Sequence, residues 1–159
     1  MQQKKPSFWT EARSLAATRG CVRAIAIVCV VLMMLGPRLV SFLMNNGRFY
    51  HSGPAVGVFA LAVGYLLAAL ALGMLWQLDR FLGRLAAGAV FVPQNVAALR
   101  GISWYCAAAA LICLPVGALL YLPIACMGIA AGFMALLVRV IKNAFAQAVC
   151  MKDELDYTV

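Results

Sequence analysis

Residues Gly101 to Val138 read GISWYCAAAALICLPVGALLYLPIACMGIAAGFMALLV, 38 residues without one charged side chain. A helix needs about 20 apolar residues to cross the roughly 30 Å hydrocarbon core of a bilayer. The stretch is too long for one span and long enough for two. Backbone at membrane depth must satisfy its own hydrogen bonds or be covered by protein, so a tight turn is expected near Leu120 to Pro123. Two more uncharged tracts precede it, Ala24 to Pro37 and Ser52 to Leu78. The second is one span. The first holds only 14 residues between Arg23 and Arg38, about 21 Å of helix, but Leu39, Val40, Phe42, Leu43 and Met44 extend it. It reads as one helix from about Thr18 to Met44, with both arginines snorkelling to the interfaces and Pro37 removing a backbone donor from its interior. A cleaved signal peptide is the competing reading of the first forty residues, disfavoured because no small-residue cleavage site follows.

The chain is 65% hydrophobic and 11% charged, well outside the range of a soluble domain of 159 residues. The expected architecture is therefore all-α: an integral membrane bundle of four spans at about 18–44, 54–78, 102–120 and 122–141. A loop (79–101) joins the second and third spans, and a tail (142–159) follows the fourth. Eleven of the 13 Lys and Arg and all five Asp and Glu then share one side, leaving only Arg38 and Arg48 on the other. The positive-inside rule makes that side cytoplasmic, with both termini in it. The net charge of +8 faces anionic lipid rather than nucleic acid, at about 1 kcal/mol per basic side chain near the surface.

Chemistry-bearing residues are sparse. The six cysteines form no CxxC pair and have no His or carboxylate at metal-ligand spacing; within spans they serve as small hydrophobes. His51, the single histidine, lies in a short turn-rich loop. No Asp, Glu or Lys falls inside a span, which argues against a pump or ion-coupled transporter. No metal, cofactor or catalytic group is expected, and the chain reads as a non-enzyme. Arg38 is a candidate lipid-headgroup ligand. Ala60, Gly64 and Ala68, like Gly128 and Gly132, recur every four residues. Such spacing lets helix backbones approach closely, within the bundle or, through Gly128 and Gly132, in a homo-oligomer.

The patterned polar residues lie in the loop and the tail. Phe81, Leu82, Leu85 and Ala89 recur at helical spacing with Arg80 and Arg84 on another face, predicting a cytoplasmic helix lying in the membrane interface. Gly88 loosens it, and Phe91-Val92-Pro93-Gln94-Asn95 marks a turn and restart, with Pro93 suited to the first helical position. The new helix runs past Arg100 to Trp104 and Tyr105, an aromatic-belt pair. In the tail, Leu155, Tyr157 and Val159 alternate with Asp156 and Thr158, the period of an extended strand. Such a tail could pair with a sheet edge or fold back on the loop's arginines through Asp153, Glu154 and Asp156. Its internal Lys-Asp-Glu-Leu is not terminal and is no retention signal.

These stretches resemble the bacterial membrane family catalogued as domain of unknown function 2975. LDRFLGRLAAGAVFVPQNVAALRGISW (Leu78 to Trp104) resembles its loop signature at Gly88, Phe91, Pro93, Asn95, Leu99, Arg100 and Ile102. The ending MKDELDYTV is similar to its closing acidic motif at Glu154, Asp156, Thr158 and Val159. Val92 stands where a helix-capping Thr is usual, which forgoes about 1 kcal/mol, and Tyr157 replaces a Leu. The resemblance implies a four-helix inner-membrane protein, and family members are often encoded beside a small helix-turn-helix regulator. The candidate partner or lipid contacts are thus Arg80, Arg84, Phe91, Pro93, Asn95, Arg100, Glu154, Asp156, Tyr157, Thr158 and Val159. The expected role is non-enzymatic and regulatory: loop and tail hold a soluble regulator at the membrane. An accessory subunit of a transporter or small-molecule permeation assembly is the alternative.

Overall fold

A computed structural model describes residues 8–47, 49, 53–90 and 92–156. Four helices account for nearly all of them: α1 (Phe8–Asn45), α2 (Pro54–Ala86), α3 (Pro93–Leu119) and α4 (Leu122–Asp156). Each contains a stretch long and apolar enough to cross a membrane, and no strand occurs among the described residues. The chain is a multi-pass membrane protein.

Successive helices run antiparallel. Arg19 near the start of α1 meets Asp79 near the end of α2, while Phe49 after α1 and Tyr121 after α3 stack edge-on with centroids 6.5 Å apart. One end of the molecule therefore carries the start of α1, the α2–α3 connection and the end of α4; it is called the basic end below. The other carries the α1–α2 and α3–α4 turns.

Packing follows chain order. α1 lies on α2, α2 on α3 and α3 on α4, the last pair having the most extensive contact. Among the described residues the backbones of α1 and α4 do not approach one another, so the helices form an open array rather than a closed bundle. Small residues set the close approaches, as van der Waals fit drives helix association in lipid. A side-chain carbon on Gly117 would overlap the Ala125 backbone, and one on Gly128 would sit 3.0 Å from Cys113 and Leu114. Gly132 of α4 faces Ala110 of α3. Gly128 and Gly132 thus spend their bare face within the chain, against α3. Gly73 lies under the Tyr105 ring and Gly101 against Gln77, which brings α2 and α3 together. Val22, Leu75 and Leu82 bury one apolar cluster between α1 and α2; Ile102, Cys106 and Ala135 bury another, with Met74 and Leu78 packed against it. The remaining large apolar side chains, such as Met34, Val58, Leu111 and Val140, point outward, as lipid-facing surface should. All six cysteines are free.

Two expectations need correction. The interfacial helix of loop 79–101 does not form as a separate element. α2 continues unbroken through Asp79, Arg80 and Arg84 to Ala86, leaving only residues 87–92 as connection. A break after Leu78 would orphan up to four carbonyls and four amide hydrogens, and neither Pro nor a left-handed residue intervenes to force one. The stop comes at Gly88, whose φ of 77° is the only positive one among the described residues of the connection. The amide hydrogens of Gly88 and Ala89 bond to the carbonyls of Leu85 and Arg84, the two bonds of a Schellman motif. The strand-like tail is the second correction. α4 runs to Asp156, so Leu155 and Asp156 are helical, while Tyr157, Thr158 and Val159 lie outside the described residues. At 35 residues α4 measures about 52 Å, well beyond a hydrocarbon core of roughly 30 Å, and its last turns project past the interface.

Candidate functional site

The basic end is built on the restart at α3. Pro93 occupies the first turn of α3, where its missing amide hydrogen is no loss, and Val92 precedes it with extended backbone and no side-chain cap. The connection is held instead by Asn95, which is fully buried. Its Nδ2 donates to the carbonyls of Ala89 and Val90, both at 2.8 Å. One amide group thereby satisfies two carbonyls that the non-helical connection leaves over. Among the described residues Asn95 Oδ1 has no partner. The burial moves Asn95 from the surface contact expected of it to the interior: it shapes the site rather than presenting itself.

Around this pivot Arg84 reaches across the connection, its Nη1 donating to the Gln94 carbonyl at 3.1 Å. Arg80, one turn earlier, stacks its guanidinium 4.7 Å from the centroid of the Trp76 ring, a cation–π arrangement worth about 0.5–1 kcal/mol when exposed. Trp76, Gln77, Arg80, Arg84 and Gln94 line a cleft of about 300 Å³ between α2 and α3. Pro93 and Arg100 line a second cleft of about 300 Å³ with Ala146 and Val149 of α4. The backbone at Glu154 and Asp156 belongs to the end of α4; Phe91, Tyr157, Thr158 and Val159 lie outside the described residues. Arg38 is exposed at the opposite end, far from this site.

The structure adds a group that the sequence reading left apart. Asp79 Oδ1 accepts from Arg19 Nε at 3.4 Å and from Arg23 Nε at 3.3 Å, so one carboxylate of α2 clamps two cations of α1. Arg19 lies along Gly83, with its guanidinium 3.4 Å from where a side-chain carbon would stand. A sequence signal existed: Arg19 and Arg23 are four apart and share a helix face, and Asp79 is the one acid at the end of an apolar run bound for the same side of the membrane.

A family model described as "Protein of unknown function (DUF2975)" matches residues 43–159, from the last turn of α1 through α4. The chain belongs to this family. The resemblance read in the loop and tail motifs is thus confirmed, and the matched stretch contains the α2–α3 connection, both clefts and α4. No curated protein and no solved structure matches the chain.

Proposed function

We propose that this DUF2975 protein is a non-enzymatic interaction or regulatory protein of a bacterial inner membrane, with both termini in the cytoplasm, and that its working surface is the basic end. The single observation that supports this is the Trp76–Arg80–Arg84–Gln94 cleft, which sets two arginines and two glutamines around one recess where α2 meets α3. Its partner is a soluble cytoplasmic protein, a small helix-turn-helix regulator being the first candidate, held at the membrane by the cleft and by residues 152–159. Pull-down from detergent extract tests this with the intact chain, with a chain lacking residues 152–159, and with Arg80→Glu combined with Arg84→Glu. The intact chain is expected to recover a soluble partner that the altered chains lose. Equal recovery of every partner by all three removes the reading.

One observation favours an accessory subunit as the second reading. The open array leaves an apolar groove of about 290 Å³ between α1 and α2, lined by Cys29, Gly36, Gly64 and Tyr65 among others, and a further span could pack there. Flux through liposomes holding the chain alone, compared with the assembled complex, separates the two readings.

A further inference from the structure

Arg100, Ser103, Trp104 and Ala107 of α3 and Arg139 and Lys142 of α4 line a cleft of about 320 Å³ on the face of the α3–α4 pair. From this geometry we infer that the cleft binds the phosphate of an anionic phospholipid in the leaflet at the basic end. Three cations from two helices converge on one space, and among the described residues none of them has an ion-pair partner. Asp79, the acid nearest the membrane, is already engaged by Arg19 and Arg23. The backbone of the acids at the end of α4 stands 11 or more residues beyond Lys142 on the same helix, about 16 Å along its axis. Ser103 donates its hydroxyl to the Ala135 carbonyl at 3.0 Å, so the cations are the anion's main ligands.

The depth of the cleft distinguishes a lipid from a free anion. Arg100 and Arg139 sit where uncharged helix begins, and Trp104, 68% exposed, lies at the same level, the position of an interfacial tryptophan. Two turns deeper on the same α3 face Leu111 is 76% exposed, and Leu136 of α4 is exposed three residues before Arg139. A phosphate held at the top therefore has an apolar track below it for an acyl chain. Basic pockets between spans are a known way to hold anionic headgroups.

The test uses the full chain in nanodiscs of equal phosphatidylglycerol and phosphatidylcholine, with co-purifying lipid measured after extraction into detergent. Phosphatidylglycerol is expected to be retained over phosphatidylcholine. Arg100→Gln, Arg139→Gln and Lys142→Gln are each expected to lower its occupancy about five-fold, whereas Arg80→Gln leaves it unchanged. Among the described residues each replaced side chain lacks an ion-pair partner, so the variants should fold, and unchanged helicity and elution volume verify that. Retention by the triple variant equal to the native chain overturns the proposal. So does an equal loss with Arg80→Gln, which would mean unspecific charge attraction. Displacement of the lipid by millimolar inorganic phosphate also overturns it, in favour of a free-anion site. The outcome is independent of any soluble partner, because no partner is present in the assay.

Discussion

Asn95 is the residue on which the basic end turns. Its Nδ2 donates to the carbonyls of both Ala89 and Val90, so Asn95→Ala leaves two acceptors without it in a buried place. The expected loss is about 1–3 kcal/mol, read as a lower midpoint of unfolding in a denaturing detergent titration. Asn95→Asp should cost more, because it sets a carboxylate against two carbonyl oxygens; a neutral result for both variants would contradict the pivot role. Asp79 is a gentler case. Its partner Arg23 is well exposed, and solvent-exposed ion pairs contribute at most about 1 kcal/mol. Asp79→Asn is therefore expected to shift the midpoint by less than Asn95→Ala, and the shift should shrink in high salt. A larger, salt-independent loss would mean that the clamp is the main tie between α1 and α2.

At the scale of the helix, the tightest joint is where α3 meets α4. Gly117→Val should push the two helices apart, an overpacking cost of about 1–3 kcal/mol or more, since the obstructing atoms belong to the Ala125 backbone. Gly64→Ala has no atom within 4 Å to meet and should be neutral in the same titration. Identical behaviour of the two would show that the α3–α4 approach is looser than described. These elements differ in how far they could be read in advance. The turn at Leu120 and Tyr121, the restart at Pro93 and the close approach at Gly128 were legible, because uncharged length, a fixed proline φ and a missing side chain act locally. The continuation of α2 through Asp79 to Ala86 was not, because polarity changes at Leu78 while backbone hydrogen bonding does not. Likewise the alternation that starts at Leu155 did not outweigh a helix already under way, which takes in Leu155 and Asp156. Within the site, the arginines of the α2–α3 region could be named from sequence. The burial of Asn95 and the pairing of Asp79 with α1 could not, as both depend on how the helices pack.

For the whole molecule, the arrangement fixes which parts share a side of the membrane. A membrane-impermeant thiol reagent is expected to reach Cys150, free and exposed, from the cytoplasm only, and an Asn46→Cys variant from the opposite side only. Labelling of both from one side would refute four crossings, and exchanged sides would reverse the proposed orientation. The open array has a further bearing on biogenesis. Each helix after the first packs on the one that precedes it, so during synthesis each later span enters the bilayer to find a partner already there. Local pairing of this kind avoids the slow closure of distant segments. The chain can assemble in the order in which it is made, without waiting for its last helix to complete the first.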